Sequence, residues 1–176
     1  MLNVKLITIG TLKESYLREA AEEYKKRLGA YCKFTEVNLA EVKLSDKPSA
    51  KEIEAALEAE AKQILANMSP RAFKIALCVE GKQLSSEQLA KRFEEIGQTH
   101  SEVVLVIGSS FGLAPAVKSA CDLRLSVSAL TFPHQLMRVI LLEATYRAMT
   151  IIQGTPYHKY THLSVGEDII LPHAKR

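Results

Sequence analysis

The side chains with chemistry to offer gather toward the C-terminal half of this chain. His158 and His162 stand four residues apart around Tyr160 in a proline-bearing tail, but no Glu occupies the metalloprotease position and no third ligand lies near. That spacing does not make a metal site, and none is expected. No Ser sits in a Gly-x-Ser-x-Gly elbow, which leaves a triad hydrolase without support. Gly108-Ser-Ser-Phe-Gly112 lacks the Gly-Lys-Ser/Thr ending of a Walker loop and is not the Gly-x-Gly-x-x-Gly dinucleotide fingerprint. Its two glycines follow an apolar run and allow tight turning and close backbone approach, which serves a ligand or only a strand-to-helix turn. On spacing alone the turn is the simpler reading. The segment from Ser126 to Lys159 says more, because it couples a loop to a nearly all-apolar helix and a polar tail. Thr131 can accept from an orphan helix N–H and Pro133 suits a first turn, so the preceding loop presents free backbone donors and acceptors able to clamp a small ligand. His134 falls in that first turn, where a structural contact is as good an account as catalysis.

The elements that must position these groups alternate along the chain. Leu2 to Ile9 reads as a strand ended by Gly10, and Ser15 to Leu28 shows helical spacing through Tyr16, Ala20, Tyr24 and Leu28, stopped by Gly29. A second strand over Cys32 to Leu39 leads through a polar loop to Ser49-Ala-Lys-Glu52, a capping box that opens a helix to about Met68 with Ile53, Leu57, Ala61, Ile64 and Leu65 inward. Phe73 to Val79 suits a strand covered on both faces. Ser85 or Ser86 caps a helix whose inward side is Leu89, Phe93 and Ile96, and Glu102 to Ile107 repeats the strand pattern. A short helix from Pro115 to about Asp122, a strand from Leu123 to Ser128 and a long helix from Phe132 to Gln153, closed by Gly154 and Pro156, complete the order.

Five strands interleaved with helices predict an α/β domain with a mostly parallel sheet, whose ligands lie outside the carboxyl ends of the strands. The tips to inspect are Leu77 to Gly81, Gly108 to Gly112, and Ser128 to Pro133. The long helix is apolar around nearly its whole circumference, which predicts a homodimer seam unless the domain itself covers it. Glu143 and Arg147 fit an i,i+4 pair, and Arg138 either anchors the loop, the first choice, or contacts RNA.

Composition sets the frame. The chain has 176 residues, 47% of them hydrophobic, enough for one domain with a substantial core. A net charge of +3, from 23 basic and 20 acidic residues, permits a polyanionic partner without demanding one. Cys32, Cys78 and Cys121 are odd in number and lack metal or disulfide spacing, which predicts small buried hydrophobes in a reducing compartment. No apolar run reads as a signal peptide or membrane span, so a cytoplasmic protein is expected.

Four ordered motifs give the chain a resemblance: Val-Ile-Gly-Ser-Ser-Phe-Gly-Leu ending at Leu113, Leu-Ser-Val-Ser-Ala-Leu-Thr-Phe-Pro-His-Gln-Leu ending at Leu136, Glu143-Ala-Thr-Tyr-Arg-Ala148, and Pro156-Tyr-His-Lys159. Together they resemble the ribosomal RNA large subunit methyltransferase H family of the SPOUT superfamily, over Met1 to Lys159 and including the opening strand and Gly81-Lys82. The resemblance implies a single SPOUT methyltransferase domain over 1–159, with a trefoil knot in its C-terminal half, working as a homodimer. It implies S-adenosylmethionine as cofactor and, as acceptor, N3 of a pseudouridine in 23S ribosomal RNA within the large subunit or assembled ribosome. Position by position, it implies donor contacts from Leu77, Gly108, Ser128, Ala129, Leu130, Thr131, Phe132 and Pro133. Tyr157, His158 and Lys159 match the tail that completes a partner's active site, where they would stack on or orient the base, help deprotonate it, and hold phosphate or a developing oxyanion; read without the resemblance, the same residues are a solvated polar tail. Two departures stand out. The family usually reads Ile-Gly-Gly where this chain has Ser109, which adds a side chain where backbone approaches the donor. Residues 160–176 extend past the tail at which family chains tend to finish. A non-enzymatic ribosomal RNA-binding assembly factor that keeps the pocket as scaffold, and an enzyme acting on a small nucleotide, are the rival readings.

Overall fold

The computed structural model describes residues 1–158. Its elements run β1 (Asn3–Ile9), α1 (Ser15–Leu28), β2 (Lys33–Leu39), α2 (Ala50–Asn67), β3 (Phe73–Gln83), α3 (Ser86–Thr99), β4 (Glu102–Ile107), α4 (Pro115–Ser119), β5 (Leu123–Ser126) and α5 (His134–Ile152). The five strands form one sheet in the order β2-β1-β4-β3-β5, and every pairing is parallel. All carboxyl ends therefore open on one edge.

Period-2 alternation divides the core in two. Val103, Leu105 and Ile107 of β4 face Leu28 of α1, Phe93 of α3 and Leu141 and Leu142 of α5. Val104 and Val106 face Ala61 and Ile64 of α2 and Val117 of α4. Capping boxes start α2 at Ser49 and α3 at Ser85. Such caps contribute about 1 kcal/mol each, whereas one fully buried Phe such as Phe93 contributes roughly 1.5–3 kcal/mol of transfer free energy, so packing decides where the helices lie.

Several sequence expectations are corrected. The buried stripe of α1 is Leu17, Ala21 and Leu28, and Tyr16 is exposed; the spacing through Tyr16 is displaced by one residue. On α2, Leu65 is exposed while Glu60 is buried, because that carboxylate has partners described below. β3 runs four residues past Val79. Its ladder with β5 shifts register between Leu77 and Lys82, both of which face Leu125, so residues 78–81 bulge before pairing resumes. Gly81 makes this possible: a Cβ there would lie 2.5 Å from the Leu125 carbonyl carbon and 2.7 Å from the Ser126 nitrogen.

α5 packs on α1 and α3, and Leu141, Leu142, Ala148 and Met149 are covered by the chain itself. Its seemingly apolar cylinder holds one buried charge, Arg138, at 1% exposure. The guanidinium donates to the Ile9 and Gly10 carbonyls at 2.5 and 2.9 Å and to Asn38 Oδ1 at 3.1 Å. Arg138 is thus an anchor, as ranked first above, although what it grips is the end of β1 and β2. The Glu143–Arg147 pair forms as the spacing predicts.

Candidate active site

Three strand tips meet over the carboxyl edge of the sheet and enclose a cavity of about 800 Å³. The first tip is the β3 bulge, with Leu77 through Glu80; the second is the loop after β4, Gly108 through Leu113; the third is Leu125 through Ser128, continuing with Leu130 through His134 and Met137 of α5. Of the residues singled out from sequence, Leu77, Gly108, Ser128, Leu130, Thr131, Phe132 and Pro133 line this space, and Ala129 does not. Cys78, within the first of the expected tips, lines it as well, and so do Ile107, Val127 and Met137, which lie outside those tips. The bulge that delivers Cys78 had one signal in the sequence, a glycine interrupting a strand pattern.

The loop after β4 is shaped by excluded volume. Gly112 has φ +88 and its N–H donates to the Ser109 carbonyl at 2.9 Å. A Cβ on Gly108 would sit 2.0 Å from the Gly112 carbonyl oxygen, so glycine is required there by the loop's own backbone. Ser109 does not fill the cavity with its hydroxyl. Its Oγ donates to Glu60 Oε2 at 2.9 Å on the buried face of α2.

The loop before α5 is shaped by hydrogen bonds. Ser126 Oγ donates to the Ser128 carbonyl at 2.9 Å, and Ser128 Oγ accepts from the Leu130 N–H at 3.0 Å. Gln135 accepts from the Lys13 N–H at 2.9 Å. The expected Thr131 cap is absent: Pro133 holds the N-cap position of α5, which has no side-chain cap bond. A proline disfavours helical backbone in the residue before it, which keeps Phe132 out, and the helix starts two residues later than Phe132. Burial, and then the Arg138 charge, hold His134 below its ordinary pKa, which keeps a neutral imidazole at the rim. Burial likewise raises the Cys78 thiol, so it remains protonated and unreactive.

The cavity floor, Leu77, Ile107, Leu113, Leu125 and Phe132, is apolar, while Ser110, Ser128 and Thr131 bring hydroxyls. That mixture suits a flat heteroaromatic group with a polar appendage, in a volume within the range of small-molecule sites. Val79, Phe111 and Leu130, at 62, 46 and 71% exposure, leave a broken apolar rim around the mouth.

The tail lies elsewhere. Tyr157 Oη donates to Glu143 Oε1 at 3.1 Å, its ring meets Tyr146 edge-on at 4.7 Å, and burial foremost pushes its pKa up. His158 Nε2 lies 2.6 Å from Glu87 Oε1, at the first turn of α3. Neither residue lines the cavity of its own chain. Lys159, His162 and the extension 160–176 lie outside the described residues. Among the described residues no three of His, Cys, Asp and Glu gather as metal ligands, and no helix is long and apolar enough to cross a membrane.

Residues 2–158 match a family described as "Predicted SPOUT methyltransferase". A protein of Streptococcus thermophilus named ribosomal RNA large subunit methyltransferase H is 47% identical over 159 residues, which cover 90% of this chain and 100% of its own. A protein of the same name from Bifidobacterium adolescentis is 49% identical over 160 residues, with the same coverage. A solved structure of a probable methylase family protein from Haemophilus influenzae superposes with a TM-score of 0.50 at 15% identity, covering 90% of this chain and 71% of that one. At that identity the likeness concerns the fold alone.

Proposed function

Because the chain belongs to the ribosomal RNA large subunit methyltransferase H family of SPOUT methyltransferases, we propose that its strand-tip cavity binds S-adenosylmethionine and that the protein methylates N3 of a pseudouridine in 23S ribosomal RNA. The observation that carries this reading is the convergence of Leu77, Gly108 and the 128–133 loop on one cavity. The bound donor would supply an electrophilic methyl on sulfur. The residues present fit it: an apolar floor takes the adenine, and the loop backbone takes the polar edges. Transfer is an in-line displacement in which the N3–CH3 bond forms, the S–CH3 bond breaks and the N3 proton leaves to a base. Holding the uracil against the methyl is the protein's main task.

The same reading takes residues 1–159 as the catalytic domain and assigns no role to 160–176. The trefoil knot belongs to it too, as a property of the family. So does a homodimer, supported by the apolar rim at Val79, Phe111 and Leu130 and by a tail seated away from its own cavity. In that dimer Tyr157, His158 and Lys159 of one protomer complete the site of its partner, and a ribosomal acceptor places the protein in the cytoplasm.

The test is calorimetry with S-adenosylmethionine, followed by single-turnover transfer to ribosomes carrying the pseudouridine. Binding of the donor and transfer to N3 are expected, with His158→Ala keeping donor affinity and slowing transfer. RNA binding without any heat from the donor would instead make the chain an assembly factor. Equal rates for His158→Ala would remove the tail from the mechanism.

A further inference from the structure

Glu60 is a carboxylate where the pattern of α2 calls for an apolar residue. It is 3% exposed, a degree of burial at which an ionisable group persists only if its oxygens are satisfied. Both are. Oε2 accepts from Ser109 Oγ at 2.9 Å, and Oε1 accepts from the Val42 N–H at 3.3 Å. Ser109 belongs to the loop after β4, and Val42 to the loop between β2 and α2. One buried side chain therefore ties together two loops that stand beside each other at the carboxyl edge.

The position of this tie matters. Ser109 walls the strand-tip cavity on one side and a second cavity of about 820 Å³ on the other. Among the described residues, Ser109 Oγ makes the only side-chain hydrogen bond from the Gly108–Leu113 loop to another element. Within the loop, the Gly112 N–H donates to the Ser109 carbonyl. It fixes the shape of the loop but not its height above the sheet.

We propose that Glu60 is a positioning residue for the methyl donor: acting through Ser109, it sets where the Gly108-Ser109 backbone stands in the cavity wall. The inference rests on the donor reading above. It also gives the Ser109 departure a purpose, since the hydroxyl that replaces the usual glycine is turned away from the donor and used as an anchor.

The test measures S-adenosylmethionine affinity by calorimetry, and donor KM and kcat, for the full chain and four variants at a temperature where circular dichroism shows all of them folded. Ser109→Ala and Glu60→Ala are each expected to weaken donor binding about fivefold, the scale of one lost buried hydrogen bond, raising KM while kcat stays near wild type. The double variant is expected to be no weaker than the weaker single one, because both act through one contact. Glu60→Gln keeps an acceptor for Val42 and an amide facing Ser109, and is expected to bind the donor within about twofold of wild type. A merely structural role would lower the melting temperature of Ser109→Ala and leave its donor affinity intact, and that result overturns the proposal. If Glu60→Ala does not fold, Ser109→Ala decides alone. Absence of donor binding by the wild type would overturn the donor reading itself, and this inference with it.

Discussion

Two loops on the same edge of the sheet are fixed by opposite means. The loop after β4 is held by what cannot fit, with Gly108 pressed against the Gly112 carbonyl and Gly112 at a positive φ. The loop before α5 is held by what must be satisfied, a chain of hydroxyl and amide bonds behind which Arg138 ties the helix to the ends of β1 and β2. Excluded volume leaves the first loop essentially one shape, and its tie from Ser109 to Glu60 then sets where that shape stands. A wall fixed by hydrogen bonds can give, and this one carries most of the residues that the family resemblance assigns to the donor.

The largest effect on the cavity is expected from Gly108→Val. Its Cβ would begin 2.0 Å from a backbone oxygen, which no rotamer relieves, so the loop must open. Donor binding should fall below detection by calorimetry, with about 1–3 kcal/mol lost in urea unfolding, as for other overpacked sites. The clash is with the protein's own backbone, so the variant reports on loop closure. Unchanged binding would mean that the loop is not part of the donor site.

Arg138→Met should act more gradually on the cavity and more strongly on stability. The Ile9 and Gly10 carbonyls and Asn38 would lose a charged donor, a loss of about 3 kcal/mol if two of the three find no other partner. With α5 less tightly held, the 128–133 loop should loosen, and donor affinity should fall while remaining measurable. A loss of affinity as complete as that of Gly108→Val would erase the contrast between the two walls.

Much of this arrangement is legible in the residues, for reasons that differ by region. The order of elements follows from periodicity and from the capping boxes at Ser49 and Ser85, and the parallel sheet follows from the interleaving of strands with helices. The three strand tips come from the rule that such sheets bind at their carboxyl ends. What escapes is every contact that joins distant segments. Glu60 lies 49 residues from Ser109 and Arg138 lies 129 from Ile9, so neither local spacing nor amphipathicity can pair them. A carboxylate on an early helix reads as part of a solvated face, and Arg138 reads as an anchor without showing what it grips. The β3 bulge is a middle case: Gly81 marked an irregularity, but only the β5 backbone beside it explains why no side chain fits.

The smallest expected effect lies away from both walls, in the seat of the tail. Glu87 is held well below the ordinary carboxylate value, from 4.5 to about 2, first by its own backbone N–H and then by His158. A folded pKa below the unfolded one gives stability that is present above about pH 4.5 and lost as pH falls toward 2. Glu87 is half exposed, so solvent and salt screen most of the contact and the change should be slight. His158→Ala leaves in place the backbone bond and the Ser85 hydroxyl, which also lower this pKa, so a reduced pH dependence should persist in the variant. Urea unfolding at stepped pH is expected to show the stabilities of wild type and variant converging as Glu87 protonates. A difference that stays constant down to pH 2 would show that His158 acts through its hydrogen bond with Arg147, 3.3 Å from Nη1 to Nδ1, and not through this carboxylate. Moving the tail from Glu87 to a partner's cavity would then cost nothing at that carboxylate, which sets it apart from the two fixed loops it would have to meet there.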